Sequence, residues 1–78
     1  MCPENAHRFR RVATEALDPS EFAVHASANG GLIFLEIRDI ASVDGWRVVL
    51  HFAPGADDAS VRDRVRKAVA PRSLWATA

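Results

Sequence analysis

Apolar residues recur at steps of three and four in two stretches of the chain, residues 3–17 and residues 58–70. This spacing puts them on one side of a helix and leaves the charged residues on the other. Asp18-Pro19 ends the first stretch, because the residue before a proline avoids the helical conformation, and Pro71 ends the second. The pattern therefore predicts two amphipathic helices, the second followed by a short C-terminal tail.

Between the helices, apolar and polar residues alternate in three stretches that predict β-strands at residues 22–27, 32–38 and 46–52. The first strand has a competing interpretation, because residues 18–21 also form a capping box, which is typical of a helix start. Such a helix would end at Asn29-Gly30. A strand is favoured because it lets the apolar side chains of this segment share one face with those of the next strand.

Two dipeptides set the expected pairing of the strands. A two-residue turn at Asn29-Gly30 pairs Ala26 with Ile33, Val24 with Leu35, and Phe22 with Ile37. A second turn at Asp44-Gly45 pairs Val43 with Trp46, Ala41 with Val48, and Ile37 with Phe52. Asp39 then falls on the apolar face, so we expect a bulge or an early end of pairing near residues 39–42.

These elements predict one α+β domain over residues 1–78. The expected fold is a two-layer α-β-β-β-α arrangement, a three-stranded antiparallel meander with both helices packed on one face. Leu74 and Trp75 in the tail are expected to fold back over a helix end or to cover Leu32 and Phe34.

This element order resembles the double-stranded-RNA-binding domain, in which two helices also pack on one side of a three-stranded sheet. The resemblance spans most of the chain and rests on topology. The family grips phosphates with lysines at the start of its second helix, where this sequence has Asp57-Asp58, which would repel them. The family's histidine in the first hairpin loop is also missing from residues 28–31. No functional residue of the family is therefore carried over.

The formal net charge is zero, but the charges are segregated along the chain. Residues 1–12 carry three arginines against one glutamate, and residues 62–78 carry five basic residues against one aspartate. The segment between them carries eight acidic residues against two arginines. Separate positive and negative regions orient a charged partner, and the basic helices are the basis for a nucleic-acid-binding hypothesis.

Sequence motifs for catalysis and metal binding are missing. There is no glycine-rich phosphate loop, nucleophile elbow or Cys/His spacing motif. His25 and His51 are both expected on the outer face of the sheet, but about 13 Å apart along the strands, which is too far for a shared metal ion. We therefore expect no enzymatic activity, no metal and no cofactor.

The expected location is the cytoplasm. Cys2 is the only cysteine, so the chain forms no internal disulfide, as is usual in a reducing compartment. No signal-peptide pattern and no apolar run of membrane-spanning length occurs, so no membrane partner is expected.

The uncovered face of the predicted sheet is the candidate partner-binding surface, because both helices lie on the other face. It combines an apolar centre with a charged rim, a composition typical of interaction surfaces. The candidate partner-binding residues are Leu32, Phe34, Arg38, Arg47, Val49 and His51 on this face, with Arg62 and Arg66 on the second helix. The first and third strands are open edges, to which another chain can add a strand.

The sequence thus favours a small non-enzymatic protein-binding module that occupies the surface of another protein or of a nucleoprotein complex. Its size and its arginine- and alanine-rich composition, typical of GC-rich bacterial or phage genomes, are similar in character to phage-encoded inhibitors such as anti-CRISPR proteins. The alternative is a nucleic-acid-binding domain that uses the basic helices. A homodimer formed through the open sheet faces or edges is the third hypothesis.

Overall fold

The computed structural model describes the backbone of residues 3–77 and the side chains of residues 5–71. The elements are α1 (Pro3–Glu15), β1 (Phe22–Asn29), β2 (Leu32–Asp39), β3 (Arg47–Phe52) and α2 (Asp58–Thr77). The strands form one antiparallel sheet in the order β1-β2-β3. The predicted α+β fold is confirmed, and the ambiguous segment after Pro19 is a strand. The expectations for Cys2, Leu74 and Trp75 concern side chains that lie outside the described residues.

One face of the sheet packs against the helices and forms the core. α1 lies over β1 and β2, while α2 contacts α1 and β3. The buried core residues are Phe9, Val12 and Ala13 of α1, Phe22, Ile33, Leu35, Ile37 and Phe52 of the sheet, and Val61, Val65 and Val69 of α2. The rings of Phe9 and Phe52 meet edge to face, with centroids 5.6 Å apart. Burial of this apolar surface is the main stabilising contribution to the fold.

The first hairpin turns at Gly30-Gly31, so the predicted turn at Asn29-Gly30 is wrong by one residue. Both glycines have positive φ, 60° and 81°, which a type I′ turn requires at its two central positions. The sheet therefore pairs Ala28 with Ile33, Ala26 with Leu35, and Val24 with Ile37. This register differs from the predicted one by two residues, so every side chain keeps its predicted face.

The connection from β2 to β3 is the loop of residues 40–46, so the predicted two-residue turn at Asp44-Gly45 is also wrong. The Asp39 carboxylate accepts the backbone N–H groups of Ala41 and Ser42, each at 3.0 Å, and that of Asp44 accepts the N–H of Trp46 at 3.1 Å. These bonds support a wider loop, because they satisfy backbone groups that leave the ladder. β3 consequently pairs Phe52 with Ile33, Leu50 with Leu35, and Val48 with Ile37.

α2 continues through Pro71 to Thr77, so the predicted helix end at residue 70 and the predicted tail are wrong. A proline inside a helix removes one backbone hydrogen bond and disfavours the helical path, but it does not force the chain to leave it. α1 ends two residues earlier than predicted, at Glu15. The N–H of Ala16 bonds to the carbonyls of both Val12 and Ala13, at 3.2 and 3.1 Å, which tightens its last turn.

Candidate protein-binding surface

The outer face of the sheet, defined as the face turned away from the core, carries all the predicted sheet residues of the candidate site. The pairing puts its residues in three rows across the strands, Ser27–Phe34–His51, His25–Glu36–Val49 and Ala23–Arg38–Arg47. Leu32 extends the face beyond Phe34 along β2. The alternation of the strand therefore brings Leu32, Phe34, Arg38, Arg47, Val49 and His51 onto one surface.

Leu32, Phe34 and Val49 form an apolar patch on this face. Leu32 is 41% exposed and Val49 is 46% exposed, whereas Phe34 is half-buried between its neighbours. The ring of His51 meets the Phe34 ring edge to face, with centroids 4.9 Å apart. The patch thus has an ordered aromatic pair at its centre and two aliphatic side chains open to solvent.

The opposite end of the outer face is charged. Arg47 forms an ion pair with Glu36, with Nη1 and Oε2 3.2 Å apart, across the β2–β3 ladder. Arg38 has no ion pair among the residues that the structure describes. An exposed pair of this kind contributes only about 0–1 kcal/mol to stability, so it can exchange its partner readily. The face therefore runs from an apolar end to an end with a net positive charge.

Sequence reasoning missed two exposed apolar residues in the loop beyond the charged end. Ile40 is 53% exposed, and Val43 is fully exposed at 104%. The predicted pairing of Val43 with Trp46 differs from the structure, in which Val43 lies in the loop of residues 40–46. The two carboxylates that hold the loop, Asp39 and Asp44, are the sequence signal for it, because aspartates commonly bind backbone N–H groups two residues ahead in turns.

The structure does not bring Arg62 and Arg66 to the outer face. Their helix, α2, packs against the core face through Val61 and Val65, so the two arginines belong to the opposite layer. The predicted site thus divides into a sheet surface and a separate pair of helical arginines. We treat the sheet surface alone as the candidate site.

Two other basic side chains of the helices, Arg8 and Arg64, are engaged within the protein. Arg8 donates from Nη2 to the carbonyl of Ala56 at 3.0 Å and lies 3.7 Å from the Asp58 carboxylate. Arg64 donates from Nη1 to the carbonyl of His51 at 2.6 Å, and its guanidinium lies 4.5 Å from the centre of the Phe52 ring. Arg8 attaches α1 to the loop before α2, and Arg64 attaches α2 to the edge of β3, so neither is a free surface cation.

Comparisons with protein-family models, with curated proteins and with solved structures find no match for this chain.

The histidines of the outer face lie in different rows from those predicted. His25 is opposite Glu36 and His51 is opposite Phe34, which puts their Cα atoms about 12 Å apart, given ~3.3 Å per residue and ~4.8 Å per strand. Among the side chains of residues 5–71, no three metal-ligating groups come together. Over residues 3–77, whose backbone the structure describes, no helix is long and apolar enough to cross a membrane.

Two carboxyl groups have lowered pKa values, and both belong to turns or caps. The pKa of Asp18 is lowered by hydrogen bonds from the hydroxyl and the N–H of Ser20. The pKa of Asp57 is lowered by its hydrogen bonds with Ser60, whose N–H it accepts at 3.2 Å at the start of α2. Both charges stabilise local backbone structure and lie away from the outer face.

Proposed function

We propose that the protein is a non-enzymatic protein-binding module whose outer sheet face docks onto a globular partner protein. The observation that carries this proposal is the apolar patch of Leu32, Phe34 and Val49, which no described element covers. Apolar clusters with a polar rim are typical of interaction surfaces, because burying them in a complex removes apolar area from water.

The charges of the face indicate the chemistry of the partner. Arg38 is free of an ion pair among the described residues, and the ion pair of Arg47 there is with the half-buried Glu36. A complementary surface therefore presents an apolar side chain over Phe34 and an acidic group opposite Arg38. Such an arrangement also sets the orientation of the complex, because the two ends of the face differ.

The size of the face predicts how far the interface extends. Eight residues of β2 and three strands cover about 26 Å by about 14 Å, or roughly 370 Å², at the usual strand dimensions. A stable protein complex buries about 800 Å² on each partner. We therefore expect the interface to include the neighbouring loop, where Ile40 and Val43 are exposed.

Occupation of a functional surface is also how a small chain inhibits a larger assembly. An anti-CRISPR-like inhibitor of a protein or nucleoprotein complex is the specific form of the proposal that size and composition favour. The nucleic-acid alternative has less support, because Arg8 and Arg64 are engaged internally and Asp57 and Asp58 stand at the start of α2.

The test is affinity purification with three forms of the protein in a bacterial host that supplies the partner. The Phe34→Asp substitution puts a charge into the apolar patch, so we expect it to lose the co-purifying partner while keeping a native circular dichroism spectrum. The control combines Arg62→Glu with Arg66→Glu in the other layer and should keep the partner.

Loss of the co-purifying partner by the control, together with its retention by Phe34→Asp, would refute the outer-face proposal. A stable homodimer of the wild type in light scattering, dispersed by Phe34→Asp, would refute it in favour of self-association.

A further inference from the structure

A groove runs between α1 and the free edge of β1. Ala6, His7 and Arg10 of α1 line one side of it, and the consecutive residues 24–28 of β1 line the other. Side chains of consecutive strand residues point to alternate faces, so what these five positions share is their backbone. The groove is therefore bounded by the edge of the strand itself.

The hydrogen-bond pattern shows which backbone groups face the groove. The N–H of Ile40 donates to the carbonyl of Glu21 at 2.9 Å, across the β1–β2 ladder. In an antiparallel pair the residues of a strand alternate between binding the neighbour and pointing away from it. Because the backbone carbonyl of Glu21 points toward β2, the odd-numbered residues of β1 bind β2. The N–H and C=O groups of the even-numbered residues Val24, Ala26 and Ala28 therefore point away from β2 and into the groove.

The other edge of the sheet is different. By the same alternation, the carbonyl of His51 points outward from β3. Nη1 of Arg64 donates a hydrogen bond to this carbonyl oxygen at 2.6 Å. The cationic group also stacks on Phe52, at 4.5 Å from the ring centre, so it is held in place. No described side chain makes such a contact with the outward groups of Val24, Ala26 or Ala28. The β1 edge therefore offers outward groups at three residues without such a contact, whereas the β3 edge has its His51 carbonyl engaged by Arg64.

The side chains around the groove indicate what kind of strand fits. β1 places the small residues Ala26 and Ala28 on the core face, where β2 has Leu35 and Ile33 opposite them. Small side chains at the edge leave room below α1 for the side chains of an added strand. Arg10, which has no ion pair among the described residues, stands at the rim of this space.

We propose that this groove binds an extended acidic segment of a partner protein as a fourth strand, paired with β1. The segment hydrogen-bonds to the backbone of Val24, Ala26 and Ala28 and places an acidic side chain beside Arg10. The site adjoins the outer face at His25 and Ser27 but does not include the apolar patch, and it shares with the proposed function only the assumption that the partner is a protein.

A displayed library of random seven-residue peptides, selected on the wild-type protein, tests the proposal. We expect Asp or Glu to be enriched at alternate positions of the selected peptides. The Ala26→Pro substitution removes an outward N–H without breaking the β1–β2 ladder, and Arg10→Glu reverses the charge at the rim. Loss of one hydrogen bond or one charge contact predicts about tenfold weaker peptide binding in each variant. Arg11→Glu makes the same charge change one residue away, outside the groove, and should retain the affinity.

Amide hydrogen exchange of the wild type provides a second measurement that needs no variant to fold. The selected peptide should slow exchange at Val24, Ala26 and Ala28. Peptides without acidic enrichment, equal binding to Ala26→Pro, or protection at the outer face would each overturn the proposal. Protection of these amides by rising protein concentration alone would overturn it in favour of a second copy of the chain. Phe34→Asp should bind the peptide normally, so failure of the outer-face function is distinguishable from failure of this site.

Discussion

Two leucines on opposite faces of β2 allow a direct test of the layer arrangement. Leu35 lies in the core with 0% of its surface exposed, while Leu32 on the outer face is 41% exposed. Replacing either with alanine removes the same atoms from the same strand. The difference between the two variants therefore measures how much each face is covered.

The expected magnitudes follow from burial. Leu35→Ala removes a fully buried side chain and leaves a cavity between the sheet and the helices, which costs about 3 kcal/mol. Leu32→Ala loses only the buried fraction of the same transfer free energy and leaves no enclosed cavity, so its cost is about 1 kcal/mol. A domain of this length has a total stability of about 4–12 kcal/mol, so both variants should still fold at 25 °C.

Urea unfolding followed by circular dichroism measures these costs. With a urea dependence of about 1 kcal/mol/M, the midpoint should fall by about 3 M for Leu35→Ala and by about 1 M for Leu32→Ala. Equal losses would mean that something covers the outer face as completely as the helices cover the inner one. That result would refute the two-layer reasoning and, with it, the exposed patch on which the proposed function depends.

Two further predictions concern charged side chains at the ends of the sheet and of α2. The pKa of Asp57 is lowered by its hydrogen bonds to Ser60, so the stabilising effect of its charge is present above pH 3.8 and is lost as the pH falls through the lowered pKa. Asp57→Asn keeps a hydrogen-bond acceptor but does not titrate, so between pH 5 and about pH 3 the urea midpoint of this variant should fall less than that of the wild type. Equal falls of the two midpoints would contradict this role of Asp57. Arg64→Met keeps an apolar side chain but leaves the His51 carbonyl at the edge of β3 without its hydrogen bond, so light scattering should show self-association that grows with protein concentration. The control Arg66→Met should scatter light like the wild type. Equal scattering by the two variants would show that Arg64 does not protect the β3 edge.

The order of elements and the face of each strand could be predicted from the sequence, but the strand registers could not. Alternation determines which side chains face the core, and registers that differ by two or four residues satisfy it equally well. The choice between them was made by local conformations, the positive φ of Gly30 and Gly31 and the loop bonds of Asp39 and Asp44. The residues of the outer face were therefore predicted correctly, but the cross-strand pairs within it were not. His51, for example, lies beside Phe34 and not beside Arg38.

The contacts of Arg8 and Arg64 could not be predicted from the sequence pattern, for a different reason. The hydrogen bond from Arg64 to His51 depends on where α2 crosses the edge of β3, and a repeat of apolar residues carries no information on that position. Arg8 reaches the carbonyl of Ala56 for the same kind of reason. These two residues look like solvated helix positions in the sequence, but Arg64 attaches α2 to the sheet and Arg8 attaches α1 to the loop before α2.

The Arg64 contact with His51 also limits how copies of this chain can combine through their sheets. Fibre growth by strand addition needs two open sheet edges on every subunit, each of which pairs with the edge of a different neighbour. In this sheet the Arg64 guanidinium binds the outward carbonyl of His51, so a strand added at the β3 edge would lack that one hydrogen bond, whereas no described side chain makes such a contact at the β1 edge. Growth into a fibre would need the β3 edge as well as the β1 edge, so the Arg64 contact acts against open-ended assembly of copies of this chain.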